Sequence, residues 1–423
     1  MMCAPFLLRA LVSTFRPNIA PRIDAPRARA GLVLLWSWCC VAAAVLPAER
    51  LLGDDWPQWR GLEGTGVTTE TDLPVHWSPS EHVRWKLPLP ERGNSTPIVW
   101  KDRIYLTQPL EKEQLRTLQC IDRTKGTLIW QANVSYGEPE STHVTNPYCS
   151  ASPVTDGERI IAWYGGAGLH CYDTSGKPVW QVMLGKPTHV WGYGASPILH
   201  NELCILHFGP GETEFVVALD KRTGQEVWRV NLPRDAAPPK DSDRPDAAEL
   251  RGSWATPLVI QAAGREELIL HVPGKVLALD PATGQELWYC QGLGQLAYAS
   301  PIWGDGVLVA LGGYFGSSLA IRPGGAGDRT AERLWHVPKS KLRLGTGAIR
   351  EGRLYITDMN SVAECTELLT NSPVWEHRLP GAVAQAHPTV RVFADTDIIR
   401  ALTLPEFQPG PHLTAEAIAR AES

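Results

Sequence analysis

Residues 214–230 show the pattern of apolar and polar positions that dominates this chain. Phe215-Val-Val-Ala-Leu219 is an unbroken apolar run of strand length, Asp220-Lys-Arg-Thr-Gly224 is a polar turn, and Gln225 to Val230 is a mixed return segment carrying Trp228. The run predicts a strand, and the turn predicts a hairpin in which the Asp carboxylate accepts hydrogen bonds from turn N–H groups and Gly supplies the positive φ. A sheet that is apolar on both faces has to stack between neighbours. A tryptophan at a fixed place in each sheet fills the gap.

The unit recurs. Trp85, Trp130, Trp180, Trp228, Trp288, Trp335 and Trp375 are separated by 45, 50, 48, 60, 47 and 40 residues. Ser95-Thr96-Pro97, Ser152-Pro153, Ser196-Pro197, Thr256-Pro257 and Ser300-Pro301 keep step with them, each opening a short apolar run. Polar turns precede four of the tryptophans: Asp122 to Gly126, Asp173 to Gly176, Asp220 to Gly224 and Asp280 to Gly284. A strand-built period of this length predicts an all-β fold, a β-propeller of about seven four-stranded antiparallel blades with an irregular C-terminus. Six units are recognisable from Pro97 to Trp375, although Ile349 to Trp375 lacks the Asp-x-x-x-Gly turn. A strand at Val83 to Leu87 belongs to an incomplete blade, which residues after Pro380, with His387-Pro388 at the anchor position, are expected to complete.

Cys120, Ala218, Ala278 and Cys365 lie ten residues before their tryptophans, and Cys171 nine before Trp180. Cys alternating with Ala at one repeat position reads as a small buried filler rather than a reactive thiol. Cys149, Cys204 and Cys290 complete the cysteines beyond the leader, and a disulfide among these six is left open.

Charged residues make up 20% of the chain and apolar ones 43%, with 17 Trp, which is the composition of a folded protein. The net charge of −5 excludes a bulk basic field for nucleic acid. Residues 1–29 hold five Arg and one Asp, and 30–48 carry no charge, so residues 1–48 read as a signal peptide or an uncleaved N-terminal anchor. Removing 1–44 takes away those five arginines and the aspartate and moves the net charge from −5 to −9. A periplasmic or secreted protein is expected, or one anchored in the inner membrane. The remaining divisions are an extension at 49–82, the propeller at 83–404 and a tail at 405–423.

In a propeller, ligands meet the loops at one end of the central channel, because the strands are committed to packing. The segments before the Ser/Thr-Pro anchors are rich in aromatic and polar residues: Arg92 and Asn94; His143, Asn146 and Tyr148; His189, Trp191 and Tyr193; Arg251 and Trp254; Gln295 and Tyr298. If they converge, they suit a flat or polyhydroxylated ligand through stacking and hydrogen bonds. No HxH or HExxH spacing points to a metal. His170, His200, His207 and His271 fall in or beside strand runs and read as structural. The 233–249 insertion reads as a solvated loop, and Gly324 to Gly327 lacks the Lys-Ser/Thr of a phosphate cradle.

Ala218-x-Asp220-x-x-x-Gly224-x-x-x-Trp228 and Ala278-x-Asp280-x-x-x-Gly284-x-x-x-Trp288 resemble the tryptophan-docking repeat of pyrroloquinoline-quinone (PQQ) propellers, and Cys120 to Trp130 follows it with Cys for Ala. The resemblance covers about residues 83–380, and Asp55-Trp-Pro-Gln-Trp-Arg-Gly61 looks like the start of exported bacterial proteins of this kind. It implies seven blades, or eight in a complete family member. The repeat builds both quinoprotein alcohol dehydrogenases and the non-enzymatic propeller lipoprotein of the outer-membrane assembly machinery. A quinoprotein enzyme needs Ca²⁺ on carboxylate and amide oxygens, an Asp base and often a vicinal disulfide. Here the one adjacent cysteine pair, Cys39-Cys40, lies in the leader, and no acidic pair stands in the pre-anchor loops. The expectation is a monomeric, non-enzymatic binding or scaffold propeller of the cell envelope, without catalytic residues, metal or cofactor, whose partners are envelope proteins or a small polar ligand. The alternative is a PQQ- and calcium-dependent dehydrogenase of an alcohol or sugar.

Overall fold

The computed structural model describes residues 54–232 and 251–378, apart from positions 71, 72, 74–77, 79, 80, 314, 315, 340, 342 and 361. The leader, the 233–249 insertion and everything after 378, including His387-Pro388, lie outside the described residues. Ile98–Trp100, Arg103–Leu110, Leu115–Asp122 and Leu128–Ser135 form blade 1, each strand antiparallel to its chain neighbour. Blades 2 to 6 repeat this order. They open on Val154–Thr155, Ile198–His200, Leu258–Ala262, Ile302–Gly304 and Ala348–Arg350, and close on Pro178–Val182, Glu226–Asn231, Glu286–Gln291, Arg333–Val337 and Pro373–Arg378. The two middle strands of each blade are almost wholly buried and the last one faces solvent on its outer side. The protein is a β-propeller with six complete blades among the described residues.

One junction joins the blades. In all six, a small residue faces the outer-strand tryptophan across the sheet: Cys120 with Trp130, Cys171 with Trp180, Ala218 with Trp228, Ala278 with Trp288, Ala320 with Trp335 and Cys365 with Trp375. The indole then reaches under the last turn of the next blade and donates to its second residue's carbonyl. Trp130 Nε1 lies 3.2 Å from Thr174 O, Trp180 Nε1 3.0 Å from Lys221 O, Trp228 Nε1 3.1 Å from Pro281 O and Trp335 Nε1 2.9 Å from Leu368 O. Inside these turns the Asp oxygens of Asp122, Asp173, Asp220 and Asp280 accept two backbone N–H groups each. Glycine is required twice over: Gly224 has φ +74°, and an added Cβ would stand 2.9 Å from the Trp180 ring.

Three departures from the sequence reading have physical causes. Val83 to Leu87 is not hydrogen-bonded into a sheet, yet Trp85 Nε1 donates to Arg123 O at 2.9 Å, so Trp85 serves blade 1 as the tryptophan of a seventh blade. Blade 6 keeps the turn without Asp or Gly: Asn371 N–H donates to Glu367 O at 2.8 Å, and Asn371 takes φ +58°, which Asn tolerates better than most residues. Trp288 finds no such turn in blade 5. Its indole donates instead to the buried Glu267 carboxylate of its own blade at 2.7 Å, which also accepts from Arg265 and from Gly324 N–H. The connection that replaces the turn adds Gly327–Asp328 as a parallel fifth strand along Trp288 and Tyr289.

At the channel, the Ser/Thr of the anchors forms a belt. The backbone N–H of Thr96, Ser152, Ser196, Thr256 and Ser300 each donates to the hydroxyl of the next anchor: Ser152, Ser196, Thr256, Ser300 and finally Thr346, at 2.9 to 3.1 Å. Below the belt the N-terminal segment crosses the innermost strands. Trp56 exchanges backbone hydrogen bonds with Val99, and Pro57 O accepts from Thr155 N–H. Trp59 Nε1 donates to Ser300 Oγ at 3.3 Å, and Arg60 donates to Thr65, Gly347 and Thr346 carbonyls.

All six cysteines among the described residues are buried free thiols. Burial pushes Cys120, Cys290 and Cys365 up to about 11 and Cys149 and Cys171 up to about 12, and raises Cys204 as well. At pH 8 none of the six should be alkylated in the native protein, while all six react in denaturant, as read by peptide mass spectrometry. Trp228→Ala should lower unfolding free energy by about 3–5 kcal/mol in denaturant titration. Ser196→Ala, which strands the buried Ser152 N–H, should cost about 1–3 kcal/mol.

Candidate functional site

The segments entering the belt form the channel mouth, and side-chain amides hold them together. Asn94 Nδ2 donates to Thr145 O at 3.0 Å and to Asn146 Oδ1 at 3.3 Å. Asn146 Nδ2 in turn donates to the carbonyls of Trp191 at 2.6 Å and Tyr193 at 2.9 Å, which joins the mouth segments of blades 1, 2 and 3. Trp254 Nε1 donates to Gly192 O at 2.9 Å, adding the next segment. The one after it is added by a parallel pairing of Gly252–Ser253 with Leu296–Ala297. Rings complete the wall: Trp254 stacks on Tyr298 at 4.8 Å and 17°, and Trp191 lies 5.9 Å from Trp254 and 6.2 Å from Tyr298.

Mouth, belt and N-terminal segment enclose a cavity of about 370 Å³. Trp56, Trp59 and Arg60 form its floor, the belt residues its waist, and Asn94, His143, Asn146, Trp191, Trp254 and Tyr298 its upper wall. The described lining contains no Asp or Glu.

Six of the twelve residues expected at the mouth thus meet in one cavity. The other six do not line it. Glu91 O and its carboxylate are bound by Gln108 and Glu111 of blade 1, which leaves Arg92 exposed at the rim. The Tyr148 ring lies under the Arg116 guanidinium at 3.7 Å and its phenol donates to Glu140 O, so it supports the loop from behind. Arg116 is itself buried, 3.8 Å from Glu140, whose carboxyl is pushed up by burial against the Gly166 N–H and the Arg116 charge. His189 and Tyr193 are turned inward: His189 meets the Trp254 edge at 4.8 Å and Tyr193 packs on Trp163 at 4.6 Å. Gly192 at φ +67° closes a turn onto His189 O and breaks the alternation that would have set all three rings on one side. Arg251 and Gln295 flank the parallel pairing, and Gln295 contributes its carbonyl to Gly252. Among the described residues, no three His, Cys, Asp or Glu side chains are grouped as a metal site requires.

Sequence reading missed the floor and one belt residue. Trp56, Trp59 and Arg60 lie outside the repeat, so its spacing says nothing of them. Thr346 stands 46 residues after Ser300, within the period, but Gly347 replaces the proline that marks the other anchors.

The fold and junction are those of a β-propeller whose blades are docked by tryptophan. Residues 116–292 match the family model described as outer membrane protein assembly factor BamB. No curated protein matches the chain. Among solved structures, BamB from Moraxella catarrhalis is similar at 16% identity and TM-score 0.47, over 67% of this chain and 75% of that one. Quinohemoprotein alcohol dehydrogenase from Comamonas testosteroni is similar at 12% identity and TM-score 0.43, over 77% and 73%. A europium-containing methanol dehydrogenase stands at 10% identity and TM-score 0.42, over 71% and 81%.

Behind the wall, His271 is wholly buried and donates through Nδ1 to Ala299 O at 2.9 Å, next to belt residue Ser300, while His271 O accepts from Ser253 Oγ at 2.6 Å. Burial lowers its pKa from 6.5 to about 4. The unfolded imidazole therefore takes a proton that the folded one refuses, and stability falls as pH drops from about 6.5 to about 4, by about 3 kcal/mol in all. His271→Asn should remove that component of the slope in denaturant titrations across the window.

Proposed function

We propose that this protein is an exported, non-catalytic binding propeller of the cell envelope that takes its ligand or partner at the channel mouth. The observation that carries the reading is the convergence of Asn94, Asn146, Trp191, Trp254 and Tyr298 over a cavity floored by Trp56 to Arg60. Such a site offers stacking faces and neutral hydrogen-bonding groups held in place by other mouth segments, the character of a preformed binding pocket. The family match over residues 116–292 supports a binding role.

The dehydrogenase reading asks for chemistry that this lining does not supply. Calcium with PQQ wants carboxylate ligands and a carboxylate base, and the described wall has Asn, His and hydroxyl groups in those places. The residues present do not fit that group.

Two measurements test the reading on the exported chain. PQQ with Ca²⁺ should leave the melting temperature unchanged, whereas a ligand at 100 times its Kd stabilises by about 2.7 kcal/mol. In capture from envelope extract, the wild type should retain a component that Trp191→Ala loses. A melting shift with PQQ and Ca²⁺ together with dye-linked oxidation of an alcohol would overturn it.

A further inference from the structure

We propose that the mouth cavity holds the end of a saccharide chain, one or two pyranose rings of which one stacks on the Trp191 ring. This rests on the reading of the mouth as the binding site and assigns the class of ligand it takes.

The wall itself separates a sugar from a flat aromatic guest. A planar ring system held between two host rings needs them about 7 Å apart, two stacking contacts of about 3.5 Å each. The three mouth rings stand 4.8, 5.9 and 6.2 Å from one another at 17° to 37°, so no slot opens between them. Trp254 is buried and stacked on Tyr298, so the half-buried Trp191 is the ring of this cluster that offers a face to the cavity. A pyranose matches it: the ring C–H groups cover an aromatic face while the hydroxyls point outward along the ring's edge, toward polar wall groups.

Those polar groups are of the right kind. His143 and Asn146 stand in the same wall, an imidazole and an amide, groups that pair with hydroxyls as donors or acceptors. With no carboxylate in the described lining, the cavity has nothing to draw a cationic ligand. About 370 Å³ lies at the small end of ligand pockets, so no more than the last rings of a chain fit in it.

The test is a titration of the exported full chain with cellobiose, maltose and N,N′-diacetylchitobiose, read by tryptophan emission and calorimetry, with PQQ plus Ca²⁺ as the flat comparison. At least one disaccharide should bind saturably, weakened about tenfold in Trp191→Ala, the loss of roughly one ring contact, and little changed in Trp191→Phe, which keeps a stacking face. Melting temperatures of both variants report whether they fold, and the Phe variant keeps the comparison if the Ala variant does not. Binding of PQQ but of no disaccharide overturns the saccharide assignment and leaves the mouth as a binding site. Disaccharide binding that Trp191→Ala leaves intact, with the variant folded, overturns the location. Silence from every probe overturns the assignment too, and then capture by the wild type but not by Trp191→Ala decides whether the mouth binds at all.

Discussion

The structure depends on a sheet that is apolar on both faces and can be stable only when a neighbour covers each. The answer repeated around this chain is an indole laid over a small residue of its own blade and hydrogen-bonded to a turn carbonyl of the next. Cys or Ala at the facing position leaves room for the ring, and the Asp and Gly of the turn hold its carbonyl where the indole N–H can reach it. Where the turn is missing, the protein keeps the rule by another route. Glu267 supplies the acceptor for Trp288, at the cost of burying a carboxylate that then needs Arg265 and Gly324 N–H around it.

That junction fixes the blades at their outer side, and the hydroxyl belt fixes them at the channel. From Ser152 to Thr346 each belt hydroxyl accepts a backbone N–H from the preceding blade, so the mouth segments start from positions locked to one another. The amides of Asn94 and Asn146 and the indole N–H of Trp254 then tie the segments above the belt. A binding site made this way loses little conformational freedom when a ligand arrives, which is what rigid placement contributes to affinity.

The junction was legible because each of its parts is a distinct residue type at a fixed spacing: Trp, a small residue ten before it, and an Asp-Gly turn between. Belt residues were legible wherever proline followed them, and Thr346 was missed where glycine did. At the mouth, period and composition located the segments but could not say which side chains face the channel. Trp191 lines the cavity while His189 and Tyr193 pack behind it, because a left-handed glycine at 192 reverses the chain between them. Glu267 and Arg60 were beyond reach for a different reason. Their partners, Trp288 and the carbonyls of Thr346 and Gly347, are joined to them by tertiary contact alone, with no spacing that announces it.

The central claim is that the blades are locked at the channel as one cooperative unit, on which the mouth is built. Hydrogen exchange of the backbone N–H groups of Ser152, Ser196, Thr256 and Ser300, followed by fragment mass spectrometry, tests it most directly. The account predicts that all four exchange together and only as slowly as global unfolding allows. Exchange within minutes at any of them, or at rates that differ from blade to blade under native conditions, would contradict it.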